Sequence, residues 1–242
     1  MSVPATAQSL LHELAADPLR AAVLLDVDGT LAPIVEVPAD AAVPEPTRAE
    51  LRRLHGRYAL VACISGRPSR AAQQVVGVPA LVYVGEHGLE LAPEAPAWRE
   101  RLHAFAGTVA WDDVELKPLS VSFHYRRSDD EDEAVRLLAG VERRAHDEGL
   151  VPRWGRKVLE LRPPLRADKG TAVQQLLRDR NLQRALYAGD DTTDLDAFAA
   201  LDGLDVALRV AVVTPEAPPS LAEAADLTVG SPGELLEILR GL

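Results

Sequence analysis

Two carboxylates separated by one residue are the first candidates for chemistry in this 242-residue chain. Asp26 and Asp28 directly follow the apolar run at residues 21–25 and precede Gly29, which allows a sharp turn. Such a pair at a strand end suits a hard, oxygen-seeking cation and leaves one carboxylate able to act as a nucleophile. A calcium loop is disfavoured because the further acidic positions of an EF-hand are absent.

A second acidic group follows another apolar run, residues 185–188. Asp190 and Asp191 are consecutive, and Asp194 comes three residues later. A helix N-cap would explain Asp194, but adjacent carboxylates repel each other unless a cation neutralises them. We therefore expect the two acidic groups to lie together in one cluster that binds Mg²⁺.

Three further sites offer groups that can hold a phosphate or contact a ligand. Ser65 and Gly66 precede a predicted helix N-terminus, which favours an anion, although Ser65 also fits an ordinary helix cap. Lys169 stands at the entrance of another predicted helix, where an ammonium can hold phosphate as a point charge. For His87, between two glycines, packing and ligand contact stay equally open.

Helices and short apolar strands alternate in two stretches of the chain. The predicted strands are residues 21–25, 58–64, 81–84, 185–188 and 204–208. The predicted helices are residues 6–16, 47–55, 69–76, 170–179, 195–201 and 232–239. This alternation predicts an α/β core, a Rossmann-like doubly wound parallel sheet, whose ligands gather at the carboxyl ends of the strands.

The middle of the chain has a different pattern. Residues 119–125 and 157–161 alternate between apolar and polar types, as in half-buried strands, and residues 131–148 form a charged amphipathic pattern of helical period. We predict an inserted α+β cap domain at 96–165, with the core formed by 1–95 and 166–242.

Composition narrows the function further. The net charge of −11 argues against nucleic-acid binding, and the single Cys63 excludes an internal disulfide or a cysteine-based zinc cluster. No apolar run approaches the roughly 18 residues of a membrane span, and residues 1–10 lack the basic start of a signal peptide. We expect a cytoplasmic monomer with a small-molecule partner and no nucleic-acid or membrane partner.

The order of these motifs resembles that of the haloacid dehalogenase superfamily of phosphatases. All four of its motifs are present, namely Asp26-Val27-Asp28-Gly29-Thr30, Ser65, Lys169 and Gly189-Asp190-Asp191. Within that superfamily the chain resembles the trehalose-6-phosphate phosphatase family over about residues 21–230. Its further motifs are Ser65-Gly66-Arg67, Gly85-Glu86-His87-Gly88, Glu115-x-Lys117, His124-Tyr125-Arg126, Lys157-x-Leu159-Glu160-x-Arg162-Pro163 and Asp190-Asp191-Thr192-Thr193-Asp194.

The resemblance implies a role for each core residue. Asp26 would attack phosphorus, and Asp28 would protonate the leaving oxygen and later deprotonate water. The implied Mg²⁺ ligands are Asp26, the backbone carbonyl of Asp28, and Asp190, with Asp191 or Asp194 acting directly or through water. The implied phosphate-holding residues are Ser65, Gly66 and Lys169.

The predicted cap would recognise the sugar. By resemblance, Glu115, Lys117 and Glu160 are the best-matching sugar contacts. Each also sits on a predicted strand beside an apolar neighbour, so an exposed charged face of a half-buried sheet stays open as the alternative. His124 and Arg126 lie two apart on one predicted strand face, which leaves sugar contact and cap structure both open. His87 is a further candidate substrate contact.

The expected function is Mg²⁺-dependent hydrolysis of trehalose 6-phosphate through an aspartyl-phosphate. The alternative is a related phosphatase acting on sucrose 6-phosphate or a glycosyl-phosphoglycerate. A phosphate-responsive binding module is disfavoured, because a receiver domain needs about half this length and no Asp28.

Overall fold

The computed structural model describes residues 3–35, 37, 40–155, 157–214 and 217–242. The chain forms two compact units, one of Met1–Gly88 with Ala167–Leu242 and one of Leu89–Arg166. The compact units divide after Gly88 and Arg166. The domain boundaries predicted from the sequence, after residues 95 and 165, stay a prediction.

The elements are numbered in chain order. The strands are β1 Ala22–Leu25, β2 Leu60–Ile64, β3 Val82–Val84, β4 Val114–Leu116, β5 Val121–His124, β6 Val151–Gly155, β7 Val158–Arg162, β8 Arg184–Gly189, β9 Val206–Val212 and β10 Leu227–Val229. The helices are α1 Ala5–Ala16, α2 Glu45–His55, α3 Ser69–Val76, α4 Ala95–Ala106, α5 Glu131–Asp147, α6 Lys169–Arg178, α7 Asp194–Ala199, α8 Pro219–Ala224 and α9 Pro232–Arg240.

A six-stranded sheet forms the centre of the first unit. Its order is β10-β9-β8-β1-β2-β3, and every neighbouring pair is parallel. All residues of β1 and β2 are buried, as expected of strands covered on both faces. The predicted α/β class with a parallel sheet is therefore confirmed.

The order of the strands reverses at β1. The chain passes from β1 outward through β2 and β3, and returns to the other side of β1 with β8. Ligands of open α/β sheets bind at such a switch point, beyond the carboxyl ends of the strands. Asp26 follows β1 and Asp190 follows β8, so the two predicted acidic groups leave the sheet side by side.

The second unit contains a four-stranded antiparallel sheet, in the order β4-β5-β7-β6. Phe123, Leu159 and Leu161 on one of its faces pack with Leu138 of α5 and Phe105 of α4 in one buried cluster. Helix α5 agrees with the predicted helix, whereas α4 was not predicted.

Two predicted strand positions lie beyond the strand ends. Strand β4 ends at Leu116, and Lys117 follows it at the start of the turn, where its N–H donates to the Ser120 carbonyl at 2.9 Å. Strand β5 ends at His124, and Arg126 lies in the following turn, in which Ser128 N–H donates to the Tyr125 carbonyl. Arg126 therefore does not share a strand face with His124.

Within the described part of the chain, no helix has the length and apolar character needed to cross a membrane.

Candidate active site

The segment after β1 folds back on itself and buries Asp26. The Asp26 N–H donates to the Ala188 carbonyl of β8 at 2.9 Å, and the Gly29 N–H donates to the Ala32 carbonyl at 2.8 Å. Gly29 has a φ of 81°, and a Cβ there would overlap the Asp190 carboxylate. Glycine is thus required both for the turn and for the approach of the second acidic group.

Thr30 links the two acidic groups. Its hydroxyl is buried and lies 3.1 Å from Asp190 Oδ1 and 3.5 Å from Asp26 Oδ2. The carboxylates at the ends of β1 and β8 therefore both lie within 3.5 Å of one hydroxyl. Thr30 was quoted in the sequence motif without a role, and its position four residues after Asp26 was the available signal.

Asp194, the first residue of α7, is fully buried and accepts hydrogen bonds at both oxygens. Its Oδ2 accepts from the backbone N–H groups of Asp190 at 2.9 Å and Asp191 at 3.0 Å. Its Oδ1 accepts from Lys169 and from the Tyr187 hydroxyl, each at 2.7 Å. Asp194 therefore fixes the shape of the loop after β8.

Lys169 connects Asp194 to Asp26. Its Nζ donates to Asp26 Oδ1 at 2.8 Å as well as to Asp194 Oδ1, and its side chain is 3% exposed. Burial alone would lower the pKa of Lys169, but the charges of Asp26 and Asp194 raise it above its ordinary value. The ammonium is therefore held charged between two buried carboxylates.

Asp168, the residue before Lys169, caps α6 through a reciprocal pair of hydrogen bonds with Thr171.

The acidic nest consists of Asp26, Asp190 and Asp194. One carboxylate oxygen from each lies within 4.8 Å of the others. Burial, followed by the charge of Asp194, raises the pKa of Asp190 to about 6. Burial also raises the pKa of Asp26 well above its ordinary value, although Lys169 opposes this. The carboxylate oxygens of Asp26 and Asp190 are donors of the kind that a hard divalent cation prefers, and Lys169 offsets part of the negative charge around them.

The side chains of two proposed metal ligands lie outside this nest. The Asp28 carboxylate pairs with Arg67. Asp191 is exposed, and its Oδ1 accepts from the N–H and the hydroxyl of Thr192 at 2.6 and 2.9 Å. The structure therefore brings Asp26, Asp190 and Asp194 together, and keeps Asp191 in a local turn.

The segment after β2 carries the predicted phosphate-holding residues. Ser65 is buried, its N–H donates to the Val84 carbonyl, and its hydroxyl accepts from the Arg67 N–H at 3.1 Å. A Cβ on Gly66 would overlap the ring of His87, which is half-buried with a φ of 55°. The structure therefore packs His87 against Gly66 rather than leaving it in the open.

Asp28 and Arg67 form a two-pronged ion pair. Arg67 Nε donates to Asp28 Oδ2 and Arg67 Nη2 donates to Asp28 Oδ1, both at 2.7 Å. The Asp28 side chain is 40% exposed and that of Arg67 is 21% exposed. Arg67 was not among the predicted site residues, although its place directly after Ser65 and Gly66 at a strand end was a usable signal.

The second unit gathers the predicted sugar contacts on one face of its sheet. Glu115, Ser122 and Glu160 are neighbours in register across β4, β5 and β7. Lys117 Nζ lies 3.5 Å from Glu160 Oε1 and 3.9 Å from Glu115 Oε2. His124 Nε2 lies 3.1 Å from Glu115 Oε2. We call these five residues the polar row.

Arg126 is not part of the polar row. It is exposed in the turn after β5. Arg153 of β6 continues the row instead, because it is the register neighbour of Glu160 on the other side of β7. The sequence did not indicate Arg153, since β6 was not predicted.

Comparison with known proteins shows which family the chain is similar to. A family model described as trehalose-phosphatase matches residues 24–111 and 99–227. The trehalose-phosphate phosphatase of Mycobacterium marinum is 35% identical over 216 residues, which are 79% of this chain and 54% of that protein. The probable trehalose-phosphate phosphatase G of Arabidopsis thaliana is 31% identical over 247 residues, which are 83% of this chain and 64% of that protein. The chain thus spans little more than half the length of the bacterial relative.

A solved structure shares the fold. The C-terminal domain of trehalose-6-phosphate phosphatase from C. albicans superposes with a TM-score of 0.70 and 23% identity. The match covers 98% of this chain and 97% of that chain.

Proposed function

The chain belongs to the trehalose-phosphatase family, and from that premise we propose that it is a divalent-cation-dependent phosphatase that hydrolyses trehalose 6-phosphate to trehalose and phosphate. The observation that carries the proposal is the acidic nest at the switch point of the sheet, where Lys169 bonds Asp26 and Asp194. A buried carboxylate beside a buried ammonium and further carboxylates is what phosphoryl transfer to an aspartate needs, because the reaction depends on positioning and charge neutralisation.

Asp26 is the proposed nucleophile. One of its oxygens forms a bond to phosphorus while the bond from phosphorus to the sugar oxygen breaks, which gives an aspartyl-phosphate. Its Oδ1 is held by Lys169 at 2.8 Å, so its Oδ2 is the oxygen proposed to attack. Water then attacks phosphorus, which releases phosphate and restores Asp26.

Asp28 is the proposed general acid and base. It donates a proton to the leaving sugar oxygen in the first step and takes a proton from the attacking water in the second step. Proton donation matters because an alkoxide is a poor leaving group. The side chain of Asp28, partly exposed at the strand end and outside the acidic nest, is consistent with a role in proton transfer rather than in cation binding.

The residues proposed to hold the cation are Asp26, Asp190 and, by resemblance, the backbone carbonyl of Asp28. When bound, a divalent cation, here proposed to be Mg²⁺, neutralises charge so that an anionic aspartate and an anionic phosphate can approach each other. Asp191 is proposed to act through a water molecule, because it lies in the exposed Thr192 turn. Asp194 is proposed to organise the loop, since both of its oxygens already accept two hydrogen bonds.

Lys169, Ser65 and Gly66 are the proposed phosphate-binding residues. An ammonium has three donors, and Lys169 directs two of them to Asp26 and Asp194. The third is proposed to bind a phosphoryl oxygen. The Ser65 hydroxyl can donate to another oxygen while it accepts from the Arg67 N–H.

Sugar recognition is proposed for the polar row of the second unit. Glu115, Lys117 and Glu160 supply acceptors and donors at the spacing of neighbouring strands, which suits the many hydroxyl groups of a disaccharide. His124, Arg126 and His87 stay proposed substrate contacts without an assigned partner on the sugar.

A substrate panel tests the proposal. Phosphate release is measured from trehalose 6-phosphate, sucrose 6-phosphate, a glycosyl-phosphoglycerate and p-nitrophenyl phosphate, with MgCl₂ or with EDTA. We expect the highest kcat/KM with trehalose 6-phosphate, and no turnover in EDTA until Mg²⁺ is restored. A higher kcat/KM for another sugar phosphate would overturn the substrate assignment. Full activity after chelation, with no residual metal by elemental analysis, would overturn the metal dependence.

A further inference from the structure

We propose that Arg67 is a positioning residue that aims Asp28 at the leaving group. This inference rests on the proposed function, because it takes the acid and base role of Asp28 from it. The observation behind it is the two-pronged pair, in which Arg67 Nε and Nη2 each lie 2.7 Å from a different oxygen of Asp28.

The backbone of Arg67 is anchored on both sides. Its N–H donates to the Ser65 hydroxyl at 3.1 Å, and its carbonyl accepts from the Glu86 N–H at 3.0 Å. Pro68 follows it with a φ of −54°, close to the value that the proline ring imposes. The guanidinium therefore extends from a fixed point after β2 to the segment after β1.

Asp28 itself is held less firmly by its surroundings. Its backbone is fixed by a bridge to Ala32 across the turn at Gly29, but its side chain is 40% exposed. A planar guanidinium bonded to both oxygens fixes the plane and direction of a carboxylate, which a single point contact does not. Arg67 thus removes rotational freedom that a general acid and base must lose before it reacts.

Lysine would not replace arginine in this role. Arg67→Lys keeps the positive charge but loses the planar fork that matches a carboxylate. Arg67→Gln removes the charge as well. If the role of Arg67 is to orient Asp28, both variants are impaired. If only its charge matters, Arg67→Lys keeps wild-type activity.

The leaving group separates positioning of Asp28 from general damage to the site. A sugar alkoxide needs a proton from Asp28 as it leaves, whereas p-nitrophenolate leaves without one. A residue that acts through Asp28 should therefore slow the phosphorylation of Asp26 by the sugar ester and leave its phosphorylation by p-nitrophenyl phosphate nearly unchanged.

The experiment measures single-turnover phosphorylation of the Mg²⁺-loaded wild type, Arg67→Lys and Arg67→Gln. The two esters are trehalose 6-phosphate and p-nitrophenyl phosphate, the latter followed by its p-nitrophenolate burst. Arg70→Gln is the matched control, because Arg70 is exposed on the first turn of α3, three residues from Arg67. Urea unfolding checks that each variant is folded.

We expect both Arg67 variants to lose roughly 10- to 100-fold with the sugar ester and less than about threefold in the burst. We also expect Arg67→Gln to add no further loss in an Asp28→Asn background, since Arg67 acts through Asp28. Equal losses with both esters, wild-type rates for Arg67→Lys, or a further loss in the Asp28→Asn background would each overturn the inference. A folded wild type that dephosphorylates neither ester overturns the proposed function instead.

Discussion

Asp190→Asn should make the metal-free protein more stable at neutral pH. Asp190 belongs to the acidic nest, and its pKa rises from an ordinary 3.8 to about 6 through burial and the charge of Asp194. Because the folded pKa is the higher one, the protonated carboxyl stabilises the fold, and this stabilisation is lost as the pH rises through about 6. Asparagine is uncharged at every pH and keeps an oxygen for the Thr30 hydroxyl, so the variant avoids the loss.

The structure sets the size of this effect. A pKa difference from 3.8 to about 6 corresponds to roughly 3 kcal/mol at about 1.4 kcal/mol per pH unit. Asp190 is partly exposed, so screening by solvent reduces the expected effect to about 1–2 kcal/mol. The charge of Asp190 also raises the pKa of Asp26. Its removal therefore lowers the pKa of Asp26, which stabilises the folded protein at neutral pH in the same direction.

The assay is urea unfolding of wild type and Asp190→Asn in EDTA between about pH 4 and pH 7, repeated with MgCl₂. In EDTA the two proteins should be equally stable near pH 4, and the variant should be more stable by about 1–2 kcal/mol near pH 7. Mg²⁺ should stabilise the wild type by more than the variant, because Asp190 is a proposed ligand. A variant that is less stable than the wild type in EDTA near pH 7, or equal stabilisation of both by Mg²⁺, would refute the reasoning.

Three further outcomes follow from the same contacts. Lys169→Met should lower the free energy of unfolding by about 3–5 kcal/mol, because it leaves two buried carboxylates without their ammonium; a change below about 1 kcal/mol in urea unfolding would contradict this. Ala substitutions of Glu115, Lys117 and Glu160 should raise KM for trehalose 6-phosphate far more than for p-nitrophenyl phosphate, and equal losses in steady-state assays would speak against sugar binding. Cys63 is fully buried, and burial raises the pKa of its thiol. Maleimide should therefore label Cys63 in urea and not in the native protein. Rapid labelling of the native protein, followed by mass spectrometry, would contradict this.

The core of the fold was predictable because its strands are short, continuous and apolar. Burial on both faces of β1 and β2 leaves a pattern that is visible without the structure. Helix α4 and strand β6 were missed for the opposite reason. Strand β6 includes Pro152 and is mostly exposed, and α4 begins at Ala95 in a stretch rich in proline and alanine.

The sequence alone predicted that the candidate site lies at the ends of strands. The sequence placed Asp26 and Asp190 at the ends of two predicted strands, and the structure shows that these strands are neighbours and puts the two carboxylates within 4.8 Å of each other. It did not indicate which of Asp191 and Asp194 faces the acidic nest, because that depends on one turn of backbone after β8. Nor did it indicate that Asp28 pairs with Arg67, since 39 residues separate them along the chain.

The covalent intermediate on Asp26 is the most direct test of the proposed mechanism. Asp26→Asn and Asp28→Asn, loaded with Mg²⁺, are mixed with p-nitrophenyl phosphate, quenched in acid and weighed intact. Asp28→Asn should gain roughly 80 Da, one phosphoryl group, because the ester phosphorylates Asp26 without acid catalysis while hydrolysis of the aspartyl-phosphate lacks its base. Asp26→Asn should gain nothing. An adduct on Asp26→Asn, or normal turnover by Asp28→Asn, would contradict the assigned roles.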